Sequence, residues 1–103
     1  MEKNPSRSLS MSYELAFKPK ALKEWKRLDS AIREQLKKKL AQRLENPKVP
    51  KDKLRGYDNI YKIKLRSSGY RLAYEVKDHE IVVLVLKIAR RDKIYGELKK
   101  MMG

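Results

Sequence analysis

Lys62, Lys64 and Arg66 occupy every second position of Tyr61-Lys62-Ile63-Lys64-Leu65-Arg66. An extended chain therefore turns these cations to one side and Tyr61, Ile63 and Leu65 to the other. Ser67-Ser68-Gly69 follows, a hairpin turn with a glycine available for positive φ. On the return strand Leu72, Tyr74 and Val76 repeat the apolar face, and Arg71 falls on the charged one with Ala73 and Glu75. Arg91 leaves the end of the next strand, and Tyr95 lies four positions on, one turn away once a helix has begun. Five cations and a phenol are thus expected to converge on one surface. Like charges set opposite each other destabilise a sheet, and bound phosphate would offset that cost.

RNA suits such a surface because it carries its own nucleophile, the 2′-hydroxyl beside each phosphate. An enzyme need only align that hydroxyl, take its proton, stabilise the charged phosphorane and protonate the leaving 5′-oxygen. Clustered cations stabilise the phosphorane, and an amine crowded by other cations loses its proton more readily. The plainer alternative is a solvated, lysine-rich edge hairpin. Lys37-Lys38-Lys39 carries two readings as well: the polar flank of a surface helix, or a contact with ribosome or nucleic acid. Other chemistries find little material. The chain has no cysteine and a single histidine, His79, at an expected turn, which excludes thiolate metal sites, a Cys nucleophile and multi-His centres. No Gly-rich phosphate loop, zinc spacing or carboxylate pair is present, and no cofactor is implied.

The elements that must position this surface follow from periodicity. Tyr13, Leu15 and Phe17 alternate as a short strand. From Pro19, Ala21, Leu22, Trp25 and Leu28 fall on one helical face. Asp29-Ser30 offers an N-cap for a second helix carrying Ile32, Leu36, Leu40 and Leu44 at i+4 steps, with Arg33, Lys37–Lys39 and Arg43 around its solvated circumference. Asn46-Pro47 ends it, and 47–59 is an irregular connector. After the cationic hairpin, Asp78-His79 turns into the apolar run Ile81–Leu86, suited to a strand covered on both faces. Ile94, Leu98 and Met101 or Met102 mark a last short helix. The pattern predicts an α+β domain, β-α-α-β-β-β-α: an N-terminal helical hairpin packed on a small, mostly antiparallel sheet.

The chain's 103 residues make one domain, with 41% apolar content for a core. Residues 1–10 read as a leader, tag or disordered extension, and 11–103 as the single domain. Twenty-seven Lys and Arg against thirteen Asp and Glu leave a net charge of +14, which calls for a polyanionic partner. No apolar run reaches the ~18 residues of a membrane span, and no signal-peptide core precedes the domain. No membrane association is expected, and the cytoplasm is the expected location.

Four stretches carry a family resemblance: Ala21-Leu22-Lys23-Glu24-Trp25, Arg33-Glu34-Gln35-Leu36-Lys37-Lys38-Lys39-Leu40, Lys53-Leu54-Arg55-Gly56, and Tyr61 through Arg71-Leu72. Together they resemble the RelE toxins of bacterial toxin–antitoxin systems, over Ser12 to Tyr95. The Tyr-Lys-x-Lys-Leu-Arg hairpin is the specific part. The resemblance implies a compact ribonuclease-like α/β fold and a ribosome-dependent, metal-free endonuclease that cuts mRNA in the A site of the 70S ribosome. It implies Lys62 as general base, and Lys64 and Arg71 as stabilisers of the phosphorane. Arg91 would bind or protonate the leaving group, with Arg90 able to share that role, and Tyr95 would stack on a base. Arg55 would add a phosphate contact, and Arg66 with Lys37, Lys38 and Lys39 would contact RNA or ribosome. The segment between Arg91 and Tyr95 is shorter than the family's. An acidic, RelB-like antitoxin is the implied partner, covering the basic face or displacing segment 94–103, with operator DNA bound only through that complex. The related ParE toxins, which poison DNA gyrase on the same scaffold, are the alternative, followed by a non-enzymatic ribosome- or RNA-binding protein.

Overall fold

The computed structural model describes residues 12–102. The reading of 1–10 as a leader lies outside them. Strand β1 (Glu14–Phe17) leads to α1 (Pro19–Arg27) and α2 (Ser30–Glu45), then a 3-10 turn at Pro50–Asp52. Strands β2 (Ile60–Lys64), β3 (Tyr70–Lys77) and β4 (Val82–Arg90) follow, and α3 (Arg91–Met102) closes the chain. The sheet order is β1-β4-β3-β2. β1 runs parallel to β4, and the other two pairings are antiparallel. The expected order of elements and the α+β class are both borne out.

Each sheet face has its own core. Ala21 of α1 and Leu36 and Leu40 of α2 pack against Ile63, Leu72, Tyr74 and Val85. On the opposite face, Ile94 and Leu98 of α3 cover Ile60, Ala73 and Leu86. Fully burying each of these Leu, Ile or Val side chains stabilises by about 1.5–3 kcal/mol. Helix α3 is thus seated on the sheet through Ile94 and Leu98, both fully buried. Trp25 packs against the first core, its ring 5.3 Å from Phe17.

Several local expectations change. Leu22 is exposed rather than buried with its helical neighbours. Asp29 makes no side-chain cap; its carbonyl accepts from Arg33 N–H, and the Arg33 guanidinium donates to Leu28 O at the end of α1. The third long strand begins at Val82, because Ile81 takes φ +55° to close the turn from Asp78. It also runs on to Arg90. Between Ala73↔Lys87 and Tyr74↔Val85, Leu86 is an extra residue on β4. This bulge shifts the alternation, so Val83, Val85 and then Ile88 all face the helical hairpin.

Arg43 departs most from its expected solvated position. Its guanidinium pairs with Asp52 at 2.5 Å and donates to Tyr74 Oη at 2.8 Å and to Lys62 O at 3.0 Å. Tyr74 in turn donates to Pro47 O at 2.7 Å. Burial pushes the Tyr74 phenol above its ordinary pKa, against the pull of Arg43. The network ties α2, the connector and β2 together and holds the backbone at Lys62. Arg43→Ala strands the Asp52 carboxylate and is expected to cost about 3 kcal/mol in urea unfolding. Loss below about 1 kcal/mol would show that water replaces the guanidinium.

Candidate active site

The hairpin forms as its residues dictate. Gly69 adopts φ +77°, and Lys64 stands directly opposite Arg71 in the β2–β3 register. Directly opposed residues have Cβ atoms about 4.5–5.5 Å apart, so the two cations are neighbours. Arg71 also stands opposite Ala89 on β4, whose small side chain leaves room above the sheet. The Arg91 N–H donates to Gly69 O at 2.8 Å, pinning the hairpin turn to the start of α3. Arg90 lies over the Tyr70 ring at 5.6 Å.

These contacts enclose an open depression of about 750 Å³ lined by Lys64, Arg66, Arg71, Arg90 and Arg91, with the acidic Asp92 also on its border. Arg71 is only 9% exposed, and its Nε is buried without a hydrogen-bond partner. Its Nη1 makes one long bond, 3.4 Å to Tyr70 O. Among the described residues, none of the ion pairs involves a cation of this depression. A buried, underpaired guanidinium is costly, and an incoming anion is what would satisfy it.

The expected single surface is divided in two. Lys62 stands opposite Ala73, and with Arg55, Tyr57 and Tyr95 it lines a second depression of about 300 Å³. Its floor is Leu54 and Leu98. Helix α3 does begin at Arg91, as the four-residue step to Tyr95 requires, yet the two residues border different depressions. Lys62 and Lys64 lie on one face of β2, a two-residue step of about 6.6 Å. Tyr57 was not anticipated; its signal was an aromatic directly after Arg55-Gly56 in an otherwise irregular connector. Lys37, Lys38 and Lys39 are exposed on α2, the helix layer over the opposite sheet face. Of these three, Lys39 alone borders a groove shared with Lys64 and Arg66.

An ion cluster at the β4 bulge seats α3. Lys87 reaches Glu24 on α1 and Glu97 on α3, the latter at 2.9 Å, while Glu24 Oε1 accepts the Ile88 N–H. Burial disfavours the Lys87 ammonium, but the two carboxylates outweigh it and raise its pKa. Lys87 lowers that of Glu97. The Glu97 contribution is complete above the ordinary glutamate range, about 4.3, and is lost as pH falls through its depressed value. The Lys87 contribution is complete below about 10.4 and is lost as pH rises through its raised value. Amide exchange in α3, relative to α2, is expected to quicken at both extremes and stay flat between them. Equal protection of α3 across that range would mean the apolar contacts alone seat it.

A family profile described as ParE toxin of type II toxin-antitoxin system, parDE, matches residues 15–95. That match places the chain in the class of type II toxins. The "mRNA interferase toxin RelE" of Escherichia coli K12 is 52% identical over 92 residues, covering 87% of this chain and 97% of that one. The isolated E. coli RelE toxin superposes with a TM-score of 0.76 at 50% identity, over 89% of this chain and all of that one. RelE in the intact E. coli RelBE toxin–antitoxin complex gives 0.76 at 54% identity, over 77% and 96%. The chain belongs to the RelE/ParE toxin family, and its curated relatives at about half identity are RelE toxins.

Proposed function

We propose that this protein is a ribosome-dependent mRNA endonuclease, cutting the A-site codon by attack of a 2′-hydroxyl on the adjacent phosphate. One observation carries the reading: Arg71, buried in the sheet with its Nε unpaired, beside Lys64 and Arg91 in an open cationic depression. The mRNA interferase relatives support it. The scissile phosphate sits in that depression, where Lys64 and Arg71 stabilise the phosphorane. Arg91, with Arg90 beside it, binds or protonates the leaving 5′-oxygen. Lys62, one step along β2, takes the 2′-hydroxyl proton. Tyr95 stacks on a base, and Arg55 and Arg66 hold flanking phosphates. The exposed Lys37, Lys38 and Lys39 face the ribosome, whose contacts supply the substrate alignment that this small site lacks.

The partner in the cell is a RelB-like, acidic antitoxin, in keeping with RelE solved in complex with RelB. Operator DNA is engaged only through that complex. Among the described residues no helix is long and apolar enough to cross a membrane; the site of action is the cytoplasm, where translation takes place. Purified toxin is incubated with mRNA, with and without ribosomes, in the buffer that keeps ribosomes intact. Cleavage only with ribosomes is expected. Gyrase inhibition without cleavage would replace this reading by the ParE-like one, and neither activity would leave a binding protein.

A further inference from the structure

The smaller depression differs in chemistry from its cationic neighbour. Tyr57 is half-buried and packs against the α3 core, and Tyr95 is 41% exposed on α3. Leu54 and Leu98 supply an apolar floor, while Lys62 and Arg55 stand at the border. The Gly56 φ of +89° and the Tyr57 N–H bond to Leu54 O, 3.3 Å, fold the connector so that Tyr57 enters this space. Among the described residues neither phenol has a side-chain hydrogen-bond partner. The leucine floor and the two tyrosine rings offer apolar and stacking contact to a flat, weakly polar ring, with Lys62 and Arg55 at the border left for the backbone phosphates.

We infer that Tyr57, supplied by the connector, is a second wall of the base-stacking site to which Tyr95 of α3 is assigned above, and so a further residue that positions the nucleotide. This rests on the mRNA reading above and extends it to the base of the nucleotide whose 2′-hydroxyl attacks. Holding that base beside Lys62 places its 2′-hydroxyl next to the amine and its 3′-phosphate one step along β2, against Lys64 and Arg71. The base is gripped by stacking and apolar contact, which every base offers. Tyr57 is then a positioning residue whose ring matters and whose hydroxyl does not.

The test is single-turnover cleavage on programmed ribosomes. The A-site codon carries either its normal base or an abasic ribose 5′ of the cut. Wild type, Tyr57→Phe and Tyr57→Leu are compared, with melting curves to confirm folding. Tyr57→Phe is expected to stay within about threefold of wild type, and Tyr57→Leu to fall about 5- to 100-fold, the scale of one lost base–aromatic stack. The abasic codon should cost wild type a similar factor, and that penalty should shrink in Tyr57→Leu because the two changes remove one contact. The pocket is overturned if wild type loses rate on the abasic codon while Tyr57→Leu loses the same additional factor. It is likewise overturned if folded Tyr57→Leu cuts normally. A wild type that cuts neither codon overturns the endonuclease reading together with the pocket.

Discussion

Arg71→Met is expected to lower single-turnover cleavage of ribosome-bound mRNA by about 100-fold or more, while its melting temperature stays level or rises. The two halves of that result come from one observation. Arg71 is nearly buried, its Nε has no partner, and its one hydrogen bond is long. In the free protein such a guanidinium is a net cost, and an unbranched apolar chain of similar length removes it. In the transition state the same guanidinium meets the charge it lacks. Arg43 is the contrast, because its pairing with Asp52, Tyr74 and Lys62 is complete and its loss reads out as stability. Arg91→Ala should match Arg71→Met in rate with no melting penalty, since a cation in the first turn of α3 opposes the helix dipole. Full cleavage by both variants would leave the hairpin as an ordinary solvated edge.

A codon whose attacking 2′-hydroxyl is replaced by hydrogen is expected to resist cleavage completely while still binding. No other nucleophile is proposed, so the change removes a reactant rather than a contact. With normal mRNA the products should carry a 2′,3′-cyclic phosphate, or its 3′-phosphate hydrolysis product, and a 5′-hydroxyl. Lys62→Ala should slow cleavage of normal mRNA and alter the pH dependence of the single-turnover rate, since it removes the proposed proton acceptor. Cleavage of the deoxy codon, or 5′-phosphate products, would require water as nucleophile and a different role for Lys62.

Much of this architecture was legible in the chain because it depends on local repetition. Period-two alternation over Tyr61–Arg66 assigns each side chain to a face of β2, and Gly69 marks the turn that sets Lys64 against Arg71. The i+4 row of Ile32, Leu36, Leu40 and Leu44 orients α2 in the same way. The Tyr-Lys-x-Lys-Leu-Arg hairpin identified the family. Other features depend on which elements meet, and alternation is silent about that. The bulge at Leu86 reorients β4 and sends Lys87 to carboxylates 63 residues away on α1 and ten away on α3. Arg43 reads as one more surface cation until the connector brings Asp52 beneath it. The cationic face divides because α3 crosses only part of the sheet, leaving Lys62 with Tyr57 and Tyr95 and Lys64 with Arg71 and Arg91. Side-chain direction along a strand is local geometry, repeated every two residues, whereas the partner above each side chain is set by long-range packing between distant segments.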